Sequence, residues 1–218
     1  MPGDGLTVPG DSVKRSMDLL VGVPLLLLSL PVQLVVAVLV AARLGHPVLF
    51  RQERIGLHGQ PFQLVKFRTM HDADPAGGLD SDAARLTALG RALRAASLDE
   101  LPSLWHVVRG QMSLVGPRPL LVPYLQRYSP QQARRHQVRP GLTGLAQVNG
   151  RNALSWEEKL ALDVQYVEQR SVGLDLRILL ATVPVVLLGR GVSAPGHATI
   201  QEFRGSPGTA VSTGRVEG

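Results

Sequence analysis

The stretch LLVGVPLLLLSLPVQLVVAVLVAA, Leu19 to Ala42, decides what kind of fold this chain can have. Its 24 residues carry no formal charge. As a straight α-helix they would reach about 36 Å, enough to cross the hydrocarbon core of a bilayer. Three structures could use such a run. A secretory signal peptide fits the preceding Lys14 and Arg15, but the run is long for that purpose and no good cleavage site precedes Arg43. A buried core helix would need covering on every side, which a small domain does not supply. A membrane element needs no such cover, and it is the reading adopted.

Pro24 and Pro31 interrupt the run. Each lacks a helix N–H and presses on the preceding turn. Ser29 and Gln33 lie beside the second proline, where they could satisfy freed backbone groups. Both flanks are basic, Lys14 and Arg15 before the run and Arg43 after it. A spanning helix more often concentrates positive charge on one side. Basic residues at both ends suit a bent helix that enters and leaves through one face, although a kinked spanning helix stays open on these residues alone.

Outward from this run, 218 residues suffice for one domain with a core plus an appendage. Residues 1–13 read as a loose arm, 14–44 as the membrane helix, 45–204 as a catalytic domain with interfacial helices, and 205–218 as a disordered tail. Val48 to Met70 reads as two strands joined at His58-Gly59-Gln60-Pro61. Arg85 to Ala96, Glu100 to Val108 and Ser155 to Gln169 read as helices, and Arg139 to Arg151 as a glycine-punctuated strand and turn. The expected class is α+β, mostly helical with a small β element. Leu174 to Leu188 is a second apolar stretch, containing Asp175, Arg177 and Pro184, which suits either the membrane interface or the core.

Charge and composition narrow the chemistry. Arginine supplies 20 of the 23 basic residues, and the net charge is +6. Guanidinium is the forked donor suited to phosphate, so anionic partners are expected. Nucleic acid is not among them, because aromatics are few, the basic residues are dispersed and no RNA- or zinc-finger pattern is present. The absence of cysteine excludes disulfides, thiolate metal sites and a cysteine nucleophile, and fits a cytoplasmic setting. The six histidines show no metal-ligand spacing.

Ser97-Leu98-Asp99-Glu100-Leu101-Pro102 carries the main chemical candidates. Asp99 reads as an N-cap with Pro102 at N3, or Ser97 as the cap of a box with Glu100. The same residues suit catalysis. A carboxylate at a helix start can attack phosphorus, and two adjacent carboxylates can hold a divalent cation over a diphosphate. Gly116-Pro117-Arg118-Pro119 stiffens the backbone around one arginine, which suits bidentate phosphate binding. Lys66 and Arg68 alternate onto one face of a strand. Arg139-Pro140-Gly141 and Asn149-Gly150-Arg151-Asn152 repeat the pairing of an arginine with a tight turn. Asp72-Ala73-Asp74 matches the short DxD metal motif of nucleotide-sugar glycosyltransferases, which transfer sugar without phosphate and release UDP. A non-catalytic membrane-anchored module that binds anions is the other alternative.

These motifs fall into one pattern. The segments KRSMDLL, FRQERIG, LVKFRTM, SLDELPSLWHVVRGQMSLVGPRPLLVPYL, RRHQVRPGLTGLAQVNGRN, LDVQYVEQRS with DLRILL, and SAPGHATIQEF run in order from Lys14 to Phe203. With them the chain resembles the bacterial sugar transferase family of small monotopic phosphoglycosyl transferases, and within it the members that move diacetylbacillosamine phosphate to undecaprenyl phosphate. The resemblance implies that the carboxylate at Asp99 attacks the β-phosphate of a UDP-sugar, releases UMP and passes the phosphosugar to undecaprenyl phosphate. It implies that Glu100 assists around a Mg²⁺ ion held with Asp99, and that Lys66, Arg68, Arg118, Arg139 and Arg151 bind phosphates. It also implies a re-entrant membrane helix, the cytoplasmic face of the bacterial inner membrane, and contact with downstream glycosyltransferases of lipid-linked glycan assembly. The family's Ser-Pro break is altered here, since Leu30 precedes Pro31 and Ser29 lies one residue further back.

Overall fold

A computed structural model describes residues 11–74, 76, 78–150, 153–187 and 202–205. The expected arm lies outside them up to residue 10, as do Arg151 and the tail beyond Gly205. Helix α1 spans Asp11–Leu44 and so takes in the last residues assigned to the arm. A hairpin follows, β1 (Leu49–Ile55) and β2 (Pro61–Phe67), antiparallel with Phe50 opposite Lys66 and Arg54 opposite Phe62. Next come α2 (Asp82–Arg85), α3 (Ala88–Ala95) and α4 (Leu104–Val108). Strand β3 (Ser113–Val115) pairs in parallel with β4 (Gly141–Thr143), with α5 (Pro130–Ala133) between them in sequence. The helices α6 (Leu145–Val148), α7 (Trp156–Gln169) and α8 (Val172–Leu187) complete a mostly helical α+β architecture.

Helix α1 is long and apolar enough to cross a membrane by length and composition. It continues through both prolines. Ser29 donates to the Leu26 carbonyl, not to the Leu27 carbonyl that Pro31 deprives of its helical donor, so the expected repair of the freed group is not made. Asp18, Gly22, Val36, Val40 and Leu44 are buried at spacings of whole helical turns, forming one inward stripe. The opposite side is apolar and free: Leu20, Leu28 and Leu34 are 75%, 76% and 68% exposed.

Both ends of α1 rest on one body. Near the start, Arg15 donates to the carbonyls of Val107 and Val108 at the end of α4. Lys14 pairs with Asp18 at 3.3 Å and with Asp175 of α8 at 2.8 Å. A Cβ added at Gly22 would stand 3.2 Å from Val107, so glycine permits the close approach of the two helices. Near the far end, Val36, Val40 and Leu44 form a cluster with Phe67 and Leu93. The main core joins Leu64, Leu104, Val107, Leu114, Tyr166 and Ile178.

The remaining expectations fare unevenly. The hairpin and α7 match, and α7 carries the Ser155–Glu158 capping box. The single helix over Arg85 to Ala96 is two, because Thr87 caps a fresh start at α3 by accepting from the Gly90 N–H. The segment Arg139 to Arg151 holds the short helix α6 as well as a strand. Helix α8 is two-sided: Asp175 and Ile178 are buried in the core, while Leu176, Leu180 and Val183 are exposed.

Candidate active site

The site grows from the junction after α3. Ser97 adopts the left-handed conformation (φ 55°, ψ 20°), and its N–H bonds the Arg94 carbonyl. This stops α3 and starts a 3-10 turn, Leu98–Ser103, that leads into α4. Neither expected cap is present. The Ser97 side chain makes no capping bond, and Asp99 lies inside the turn, not at its N-cap. The reversal at Ser97 turns the chain within two residues, and no periodicity argument detects such a reversal.

The same turn docks β2. Ser103 Oγ donates to the Val65 carbonyl at 2.9 Å, and the Val65 N–H donates to His106 Nε2 at 3.1 Å. With Nε2 accepting, the proton is on Nδ1, which faces Gln111 Oε1 at 2.8 Å. Both backbone groups of Val65 are thus held from one helical segment, and the neighbouring Lys66 is presented to Glu100. His106 is buried in this structural role, as expected for a core histidine.

Glu100 is the hub of a charged cluster. Its Oε1 accepts from Lys66 Nζ at 2.6 Å and from Arg118 Nη2 at 2.6 Å. Burial pushes the Glu100 carboxyl up, but the charges and hydrogen bonds of Arg118 and Lys66 outweigh it and hold the group well below the ordinary carboxylate range. Burial lowers Lys66, against the attraction of Glu100. Glu100 also raises Arg118, whose side chain remains 46% exposed at the mouth of the cleft.

Asp99 is different. It is 8% exposed and has no hydrogen-bond or ion-pair partner among the described residues. Burial first and the adjacent Glu100 charge second push its carboxyl up, while Lys66, Arg94 and Arg118 pull it down. Arg94 joins this set from the last turn of α3. Its Nε bonds Thr69 Oγ1 at 3.1 Å, which fixes the guanidinium near Asp99. A buried carboxylate without a partner, among three cations, is the arrangement expected of a functional group.

Arg118 owes its place to close backbone contact. The Gly116 N–H bonds the Thr143 carbonyl, and the Gly141 N–H bonds the Pro117 carbonyl, each at 2.9 Å. A Cβ at Gly116 would lie 2.4 Å from the Arg139 carbonyl, and one at Gly141 would lie 2.0 Å from the Gly116 nitrogen. The two proline–glycine motifs therefore lock together only because both glycines lack side chains. Arg135, buried and paired with Asp163, donates from Nη2 to the Arg118 carbonyl at 2.7 Å. No short motif marks this brace, because Asp163 is 28 residues away on α7.

Of the sequence-derived site residues, Lys66, Asp99, Glu100 and Arg118 come together. Arg68 does not join them: its guanidinium bonds the carbonyls of Met70 and His46 and pairs with Asp72 at 2.8 Å. Arg139 Nε donates to the Gly110 carbonyl at 2.9 Å. Arg151 lies outside the described residues. Asp72 of the DxD motif is engaged by Arg68, and Asp74 pairs through its backbone with Leu79. Among the described residues no group of three or more His, Asp or Glu side chains could hold a metal ion.

Sequence comparison identifies the scaffold. Residues 10–189 match the family model described as bacterial sugar transferase. The chain belongs to the bacterial sugar transferase family. It is 51% identical over 195 residues to the uncharacterized sugar transferase EpsL of Bacillus subtilis, covering 89% of this chain and 96% of that one. It is 43% identical over 198 residues to a UDP-glucose:undecaprenyl-phosphate glucose-1-phosphate transferase of Caulobacter vibrioides, covering 85% and 74%. A Klebsiella pneumoniae protein of that same description is 39% identical over 181 residues, 78% of this chain and 39% of its own length. The bacterial sugar transferase described here is an enzyme of the transferase class.

Proposed function

We propose that this sugar transferase moves a sugar 1-phosphate from a UDP-sugar to undecaprenyl phosphate, with Asp99 as the nucleophile. The supporting observation is the unpartnered Asp99 carboxylate beside the Glu100–Lys66–Arg118 cluster. In the first step an Asp99 carboxylate oxygen bonds to the β-phosphorus, and the bond from that phosphorus to the bridging oxygen breaks. The electron pair leaves with UMP, and the phosphosugar stays on Asp99. In the second step an oxygen of undecaprenyl phosphate attacks the same phosphorus. The Asp99–phosphorus bond breaks, the carboxylate is restored, and undecaprenyl diphosphosugar is formed. Splitting the exchange this way lets donor and acceptor use one centre in turn.

Each residue has a task in this scheme. Lys66 and Arg118 balance charge on the phosphates while keeping Glu100 ionised. By engaging Lys66 and Arg118, Glu100 leaves the Asp99 carboxylate without a resting ion pair. Asp99 and the Glu100 oxygen not used by Lys66 or Arg118 are hard donors suited to Mg²⁺, which when bound would neutralise the donor diphosphate.

The membrane setting follows from α1. Its free apolar face and its two ends seated on one body support a re-entrant anchor that keeps the cleft at headgroup level. With Lys14, Arg15 and Arg43 at the ends, the cytoplasmic face of the inner membrane is the proposed location. Relatives named for glucose make UDP-glucose the first donor to try, with UDP-diacetylbacillosamine, the sugar of the sequence likeness, beside it.

The test is nucleotide release. Protein in nanodiscs receives Mg²⁺, undecaprenyl phosphate and a panel of UDP-sugars. UMP from one or a few donors, absent with Asp99→Asn, is expected. UDP released by both proteins would refute the scheme.

A further inference from the structure

Arg54 stands in the same cleft and takes no part in the scheme above. The hairpin register puts Arg54 and Lys66 on one face of β1 and β2, and both line the cleft with Glu100 and Arg118. The Arg54 guanidinium is incompletely used. Nη2 donates to Gln52 Oε1 at 2.6 Å, Nη1 reaches the Pro119 carbonyl only at 3.4 Å, and Nε is buried without a partner. A buried donor left unmade is costly, so such a group is expected to meet a ligand. The lining carries three cations, Arg54, Lys66 and Arg118, against the single carboxylate of Glu100. That surplus of two positive charges matches the two negative charges of a nucleoside diphosphate ester.

We infer that Arg54 binds the phosphate that is not attacked, the one that departs with the nucleotide. The set of charges lining the cleft supports this placement. Lys66, Arg94 and Arg118 act on Asp99, and Arg54 shares the cleft lining with Lys66, Glu100 and Arg118. Burial and the facing Arg118 lower Arg54 to about 10, so it remains a cation at neutral pH and gains from a second anion beside it. The reacting phosphorus must lie against Asp99. The other phosphate of the donor then lies along the cleft lined by Arg54, whose Nε–H has no partner.

This inference rests on the proposed reaction, and the experiment separates the two. Full-length protein in nanodiscs is titrated calorimetrically with UMP, and KM is measured for the UDP-sugar and for undecaprenyl phosphate. Arg54→Gln is expected to weaken UMP binding by about tenfold to a hundredfold, the range for a charged hydrogen bond. It raises KM for the donor and leaves KM for undecaprenyl phosphate unchanged. Arg54→Lys, which keeps the charge, recovers part of the loss. Arg51→Gln, exposed on the other face of β1, matches the parent. Wild-type UMP affinity in a folded Arg54→Gln protein would overturn the inference, as would an effect confined to the KM of undecaprenyl phosphate. A parent protein that binds no UMP would overturn the reaction itself.

Discussion

Two acid–guanidinium groups lie on either side of the Gly116–Pro119 segment, and they differ in what is left unpaired. In the core, Asp163 Oδ2 takes both Nε and Nη2 of Arg135, at 3.0 and 2.7 Å, with side chains 4% and 1% exposed. In the cleft, Glu100 takes Lys66 and Arg118 in the same fashion, but Arg118 is nearly half exposed and Asp99 has no partner. The core pair ends on a backbone target, the Arg118 carbonyl. The cleft cluster ends on an idle carboxylate. Buried ion pairs are weak evidence for stability, since desolvation offsets most of their attraction. Here the core pair sets geometry, leaving only the second Asp163 oxygen, Oδ1, buried without a hydrogen bond, whereas the cleft cluster leaves a whole carboxylate available for chemistry.

Asp99→Asn puts the largest strain on that contrast. It is expected to reduce phosphosugar transfer about a thousandfold or more, since it removes the nucleophile. Stability moves the other way. The folded-state pKa of Asp99 is raised, so its ionised form is disfavoured by folding and the penalty is present above that pKa. Removing the charge should therefore raise the thermal midpoint at pH 7. A midpoint clearly lower than the parent's would show that Asp99 is a structural partner after all.

Asp163→Ala is the converse. It leaves the Arg135 charge buried and is expected to cost roughly 3–5 kcal/mol in chemical denaturation. Replacing both partners, Arg135→Met with Asp163→Leu, should recover much of that stability while losing the hydrogen bond to the Arg118 carbonyl. Transfer activity below the melting temperature should stay reduced in the double variant. Full activity there would deny the pair its bracing role.

Glu100→Gln sharpens the comparison through pH. The parent's rate is expected to fall as pH drops through the raised Asp99 pKa, giving an acid limb above the ordinary aspartate range. The substitution removes the like charge beside Asp99 and frees Lys66 and Arg118 to attract it. Both effects lower the Asp99 pKa, so the residual activity should show its acid limb at lower pH. The lowered Glu100 pKa makes the native state more stable above the unfolded value, an advantage lost as pH falls through the folded one, so the variant should also melt earlier at pH 7. An acid limb that does not move would separate the two carboxylates electrostatically.

How much of this was legible beforehand depends on sequence distance. The apolar run, the hairpin around His58–Pro61 and the extent of α7 are local patterns, and each stands where its residues placed it. The meeting of Lys66 with Glu100 spans 34 residues and depends on Ser103 and His106 pinning Val65, which no local pattern encodes. Arg68 and Arg139 look like phosphate ligands by type and spacing, yet nearby carbonyls engage their donors. Arg54 and Arg135 are the reverse case: they lie within the segments FRQERIG and RRHQVRPGLTGLAQVNGRN, no turn or spacing singles them out there, and folding commits them to the site.

Ser97 offers the smallest effect and a fine test of how the cleft cluster is built. Its left-handed backbone, φ 55°, costs a non-glycine residue about 1–2 kcal/mol. Glycine would remove that cost but loses about 0.5–1 kcal/mol through extra freedom in the unfolded chain. Ser97→Gly should thus be neutral to slightly stabilising, by up to about 1 kcal/mol. Activity tells whether the conformation or the hydroxyl matters. The hydroxyl makes no capping bond, so transfer should be unchanged in Ser97→Gly. Ser97→Val, whose branched side chain opposes the left-handed region, should lose both stability and transfer because Asp99 and Glu100 follow directly. If Ser97→Val retained both, the left-handed reversal would not be what aims the two carboxylates, and the difference between cleft and core would have to arise from β2 alone.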